Sequence, residues 1–129
     1  MIHSYKELVV WQKSMELVAL IYKTTYSFPK EEIYGLTSQM RRAAISIPSN
    51  IAEGRGRGTK KEFTQFLRIS YGSCAELETQ LEVAKKLSFG EKLDYNKVDI
   101  LLTEVSKMLY VMIKNLNPKA PEASEATGN

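Results

Sequence analysis

The residues of this chain whose spacing holds the most chemistry are Gly54-Arg55-Gly56-Arg57-Gly58-Thr59-Lys60-Lys61. Glycines bring backbone N–H groups close to a phosphate, and the cations between them supply charge. A nucleotide-hydrolysing phosphate loop needs G-x-x-x-x-G-K-[ST] behind a strand. Here the outer glycines are only four apart, Thr59 precedes the lysines, and no strand pattern leads in. Nucleotide hydrolysis is therefore not expected. Two readings remain: a flexible inter-helix turn with solubilising arginines, or a turn that contacts nucleic-acid phosphates. In the second, Arg55, Arg57, Lys60 and Lys61 do the binding, helped by the free N–H groups at the start of the next helix. Arg41, Arg42 and Arg68 extend that set. From Arg41 to Arg68 seven cations stand against two anions, a local balance of +5 in a chain of net charge +3. A basic centre in an otherwise slightly acidic chain points to an anionic partner, or to acidic residues of another helix or subunit. Arg41 and Arg42 are adjacent and point about 100° apart on a helix, so they cannot serve one partner face together. One of them is expected to pair with a carboxylate on the third helix, Glu76 being a candidate, or on a neighbouring subunit.

Ser46, Pro48, Ser49, Asn50 and Glu53 hold polar groups at helical spacing but no histidine, second carboxylate or metal ligand among them. They read as a bent polar interface, not as a catalytic set. His3 is the only histidine, and a lone histidine is no metal site. Cys74 falls on an apolar stripe and reads as core. Tyr71, Tyr95 and Tyr110 do not fall into an interleaved basic and aromatic array, so base stacking is not expected. With no catalytic constellation present, the chain reads as non-enzymatic, with no cofactor and no metal.

The elements that position these residues are helices. Ser4 with Glu7 makes a capping-box pair ahead of the first apolar run. The stripe Leu8, Trp11, Met15, Val18 and Tyr22 follows, flanked by Val10, Leu17 and Ile21, and Pro29 ends the helix near Phe28. A second helix starts near Leu36 with the stripe Leu36, Met40, Ala43/Ala44, Ile47 and Ile51. Pro48 removes the N–H that would bond to the Ala44 carbonyl and predicts a kink. Gly54 sits where a C-terminal glycine cap belongs. Thr59 and Glu62 form a second capping box, opening a helix with the stripe Phe63, Phe66/Leu67, Ser70, Ser73/Cys74, Leu77, Leu81 and Ala84. Asp94 or Asn96 caps a fourth, with Val98, Leu101/Leu102, Val105, Met108/Leu109, Met112 and Leu116 as its stripe. Small residues on the second and third helices predict close packing on more than one side, and with it self-association. Pro118 and Pro121 stop the order, and residues 117–129 carry no apolar period and read as a disordered tail.

The fold class is all-α: one domain over residues 1–116, an antiparallel up-down-up-down four-helix bundle with its second helix kinked at Pro48. An apolar fraction of 43% supports a real core. No apolar run reaches the roughly 20 residues of a membrane span. The N-terminus shows no secretory pattern, and one cysteine cannot form an internal disulfide. These features lead to the expectation of a cytoplasmic protein without membrane contact.

The string Gly35-Leu36-Thr37 through Arg41-Arg42, Ser46-Ile47-Pro48, Asn50-Ile51-Ala52-Glu53-Gly54, then Ser73 and Glu76, resembles the four-helix-bundle proteins encoded in intervening sequences of bacterial 23S ribosomal RNA genes. The likeness runs from about Tyr5 to Leu116. The same fold is similar to the accessory subunit of diversity-generating retroelements, a branch implicated in binding nucleic acid and reverse transcriptase. The resemblance implies a homopentamer with a basic surface; the expected oligomer interface is Ser46, Pro48, Ser49, Asn50, Glu53, Ser73 and Glu76. Together with the basic centre it leads to the expectation of an oligomer that binds nucleic acid, RNA before DNA. The alternative is a protein-interaction scaffold or accessory subunit.

Overall fold

The computed structural model describes residues 4–116; His3 and the 117–129 tail lie outside the described residues. Four α-helices carry the chain: α1 Val9–Tyr26, α2 Leu36–Arg57, α3 Lys60–Lys86 and α4 Asn96–Leu116, with no strand among the described residues. Each helix packs on two others, α1 on α2 and α4, α3 on α2 and α4, which closes a four-membered ring around one core. Contacts between α2 and α3 run from Gly54 against Phe66 through Ile47 with Ser70 to Arg42 near Glu76. Numbers fall on one helix as they rise on the other, the ladder of two antiparallel helices.

The expected α1 start is corrected. Ser4 caps only a single 3₁₀ turn, Tyr5–Glu7, its Oγ accepting from the N–H of Lys6 at 3.1 Å. Leu8 is extended, and the α-helix begins one residue later. The α1 core row is corrected too. Val10, Ser14, Leu17, Ile21 and Thr25 are buried, whereas Met15 and Tyr22, from the expected central stripe, are exposed. Two hydroxyls complete the buried row at little cost because each is satisfied within its own helix. Ser14 Oγ donates to the Trp11 carbonyl at 2.8 Å, and Thr25 Oγ1 to the Ile21 carbonyl at 2.8 Å.

In α2 the buried face is Met40, Ala43, Ala44, Ile47, Pro48 and Ile51, close to the expected stripe. The helix continues through Pro48, whose missing N–H takes away the usual partner of the Ala44 carbonyl. Gly54 does not end it. A Cβ at Gly54 would come within 2.6 Å of Phe66 Cβ and 3.2 Å of Phe63 Cδ1, so this glycine is a close-approach point for α3. The cap lies four residues on, at Gly58, with φ 91° in the left-handed region. Only Gly58 and Thr59 separate α2 from α3. The supposed flexible turn from Arg55 to Lys61 is thus mostly helix: Arg55 and Arg57 close α2, and Lys60 and Lys61 open α3.

The Thr59 capping box is present: Thr59 Oγ1 accepts from the N–H of Glu62 and donates to Glu62 Oε1, both at 3.1 Å. At the start of α4, Asp94 Oδ1 accepts from the N–H of Asn96 at 2.9 Å. The buried row of α4 is Val98, Leu101, Leu102, Val105, Leu109 and Ile113.

Candidate functional site

The seven expected phosphate-binding cations do not form one surface. Arg57 is held within its own turn: Nε and Nη2 donate to Glu53 Oε2 at 3.1 and 3.0 Å, and Nη1 lies 3.7 Å from Glu62 Oε2. Its guanidinium also sits 4.9 Å from the centre of the Phe66 ring. These contacts fasten the end of α2 to the start of α3. Arg41 is half-buried. Its Nε donates to Thr25 Oγ1 at 2.9 Å, and its guanidinium lies 4.4 Å from the Tyr22 ring centre. Arg42 is exposed and stands 4.0 Å from Glu76 Oε2, the expected carboxylate on α3. Arg55 is half-buried in the last turn of α2.

Lys60, Lys61 and Arg68 behave differently. They line one groove with Thr64, Gln65 and Leu116, where the first turns of α3 pass the end of α4. No carboxylate lines it, and none of the three makes an ion pair among the described residues. Spacing explains the convergence: Lys61, Gln65 and Arg68 are four and three residues apart and share one helical face. The N-terminal end of α3 adds positive potential beside them, offset in part by the Glu62 carboxylate of the capping box. This arrangement can hold a phosphate or another oxyanion.

The polar residues expected at a subunit interface also separate. Ser46, Asn50 and Ser73 are bonded to one another inside the chain: Ser73 Oγ donates to Ser46 Oγ at 2.8 Å, and Asn50 Nδ2 donates to Ser46 Oγ at 2.9 Å and its carbonyl at 2.8 Å. Ser70 Oγ donates to the Ile47 carbonyl at 2.9 Å. The Ser70 and Ser73 bonds join α2 to α3 within one bundle, and the Asn50 bonds stay within α2. Glu53 is engaged by Arg57, and Glu76 accepts from Gln80 Nε2 at 3.3 Å. Pro48 is buried, but it and Ser49 border an outer groove between α1 and α2 with Tyr5, Trp11, Met15, Val18, Ile45 and Ala52. Met15 and Ile45 are exposed in it. The apolar row of α1 that does not enter the core is the signal that marks this groove in the sequence.

Among the tyrosines, Tyr95 is buried and its hydroxyl donates to the Gly90 carbonyl at 2.8 Å. Tyr71 and Tyr110, by contrast, are exposed and in contact, ring centres 6.2 Å apart. Cys74 is buried in the core, and desolvation, with the Glu78 carboxylate adding to it, pushes its thiol up to about 12. Such a thiol stays protonated and is no nucleophile. No group of three or more His, Cys, Asp or Glu that could hold a metal ion occurs among the described residues. No helix among them is long and apolar enough to cross a membrane.

Comparison with known proteins adds two findings. Residues 6–111 match the model of the 23S rRNA-intervening sequence protein family. A crystal structure from Bacteroides thetaiotaomicron, described as a protein of unknown function from the S23 ribosomal protein family, superposes with a TM-score of 0.72 at 27% identity, covering 82% of this chain and 99% of that one. None of the curated proteins compared with the chain matches it.

Proposed function

This chain belongs to the 23S rRNA-intervening sequence protein family, and from that premise we propose that it is a non-enzymatic, self-associating helical bundle that holds nucleic acid, RNA before DNA, through phosphates. The observation that carries this reading is the groove of Lys60, Lys61 and Arg68, three cations without a carboxylate beside them. Cations left unpaired at a helix N-terminus favour an anion, and releasing the counterions of a polyanion supplies the driving force. Arg57 drops out of the binding set, because Glu53 and Glu62 bracket it, and Arg41 and Arg42 line a separate groove with Tyr22, Thr37 and Ser38. Arg55 is not required by the reading.

Self-association is assigned to the outer α1–α2 groove, where Trp11, Met15 and Val18 face Ile45, Pro48, Ser49 and Ala52. An apolar groove beside exposed Met15 and Ile45 is surface that a second copy can cover. Closed rings of identical subunits repeat one basic groove around an axis, and a pentamer of the kind the resemblance implies would sum five such fields.

Binding of a labelled RNA at two salt concentrations tests the phosphate reading. The wild-type chain should lose affinity steeply with salt, with a log–log slope of about −0.9 per phosphate neutralised on duplex. The variant Lys60→Glu/Lys61→Glu/Arg68→Glu should bind at least about tenfold more weakly at low salt, with a slope shallower by roughly one unit per cation removed. No wild-type binding at low salt, or an unchanged slope in the variant, sinks the reading. A stable monomer by light scattering at micromolar concentration removes the assembly part. The pairing of Arg42 and Arg57 inside the bundle favours a second reading, a protein-interaction scaffold. It predicts an intact oligomer that fails to bind RNA at any salt.

A further inference from the structure

We infer that the α3–α4 seam extends the Lys60–Lys61–Arg68 groove into a stacking platform formed by Tyr71 and Tyr110, so that the surface takes single-stranded nucleic acid with unpaired bases in preference to duplex. This rests on the phosphate reading of the groove and names its substrate class.

On α3, Lys61, Gln65, Arg68 and Tyr71 follow one another at spacings of four, three and three residues, one continuous outer row. The row is about 15 Å long at 1.5 Å per residue. Cations occupy its first two turns and an aromatic ring its end. Tyr110 of α4 stands beside that ring, centres 6.2 Å apart and planes inclined at 42°. The two residues are 39% and 53% exposed, and neither hydroxyl makes a hydrogen bond among the described residues. Two other tyrosines have work inside the bundle: Tyr95 donates to the Gly90 carbonyl, and Tyr22 lies under Arg41. Next to Tyr71, Gly72 leaves the surface open, since no atom lies within 4 Å of where its Cβ would be.

The choice of occupant follows from joining these groups. A duplex presents phosphates but hides its base faces within the stack, so it can use the lysines and Arg68 and not the rings. A single strand presents both. Its phosphates answer the unpaired cations by charge, and a splayed base finds a π-face one helical turn beyond Arg68. Stacking of this kind reads no sequence, because every base has a face.

The test compares three labelled probes of equal length by fluorescence anisotropy: a mixed-sequence single-stranded RNA, an abasic strand with the same phosphates, and the duplex. The single strand should bind about tenfold more tightly than the abasic strand, the size expected from stacking. Tyr71→Ala/Tyr110→Ala should bring the single strand down to the abasic affinity without changing the salt slope. Tyr71→Phe/Tyr110→Phe should restore it, since the ring and not the hydroxyl does the work. Equal affinity for abasic strand, duplex and single strand overturns the inference. So does an unchanged single-strand affinity in the alanine variant. In either case, loss of all three probes in Lys60→Glu/Lys61→Glu/Arg68→Glu leaves the phosphate reading standing. If the wild-type chain binds none of the probes at low salt, the phosphate reading itself falls, and this inference with it.

Discussion

Toward α2, the helix α3 presents hydroxyls and meets small residues: Ser70 bonds the Ile47 carbonyl, Ser73 bonds Ser46, and Gly54 lets the backbone of α2 come up against Phe63 and Phe66. Toward α4 it presents long charged and aromatic side chains. Lys85 Nζ donates to Asp99 Oδ2 at 2.8 Å, Tyr71 leans on Tyr110, and Lys60, Lys61 and Arg68 crowd the open end. One seam is satisfied inside the chain, and the other keeps cations and two tyrosine rings at the surface. The most unusual stretch of sequence went to the first seam, where close approach restricts which residues fit. Lys60, Lys61 and Arg68, part of the basic centre legible in the sequence, lie on the second seam.

The comparison is sharpest at two glycines of α2. Gly54→Ala should cost about 1–2 kcal/mol despite the better helix propensity of alanine, because the new methyl meets Phe66 Cβ, which cannot swing away as a side-chain tip would. Urea melts of the variant would show it, and an unchanged midpoint would mean that the seam is looser than its geometry. Gly56→Ala, two residues on, points into open space inside the same helix and should stabilise by about 0.5–1 kcal/mol. If both glycines behave alike, the contrast between packed and open faces fails.

A smaller effect is expected at alkaline pH. The Cys74 thiol has its pKa raised from 9.0 to about 12 in the folded chain. The Tyr95 hydroxyl is raised as well, chiefly by burial, and the Lys85 ammonium by its bonds to Asp99 and Glu82. The folded state holds each of these protons more tightly than the unfolded one. Their stabilisation is present below the unfolded values and is lost as pH rises through the folded ones. Thermal stability should therefore begin to decline near pH 9, where the thiol of the unfolded chain ionises. Cys74→Ala should delay that onset, and an identical pH profile in the variant would exclude the thiol as its source.

Much of this architecture is legible in the sequence: helix count, the Thr59 capping box, the α2 core row and most of the α3 and α4 rows follow from spacing and caps, although Ile113 and not Met112 or Leu116 is buried at the end of α4. The α1 row does not, for a physical reason. Both of its apolar edges are long enough to be core, and the buried edge contains Ser14 and Thr25, polar residues that hide by bonding to their own helix. Gly54 misleads in a similar way. The first glycine after an apolar row looks like a cap, and only the position of Phe66 across the seam shows that it serves packing instead. Charge alone does not reveal that Glu53 and Glu62 bracket Arg57. The meeting of Tyr71 with Tyr110 depends on how α3 and α4 align, which no local spacing encodes.

The two-residue link at Gly58 and Thr59 bears on how quickly this chain finds its shape. It joins the two longest helices, which also share the broadest contact in the bundle, so their pairing closes a very short loop. Contacts near in sequence form with little loss of chain entropy, and a hairpin of this kind can assemble before α1 and α4 dock. Gly58 sits at φ 91°, where alanine would add about 1–2 kcal/mol. If the hairpin is the nucleus, Gly58→Ala should slow refolding by nearly that whole amount and leave the unfolding rate almost unchanged in a stopped-flow chevron. Slowing confined to the unfolding arm is impossible for such a nucleus, and an accelerated unfolding arm would place the first folding event at another seam.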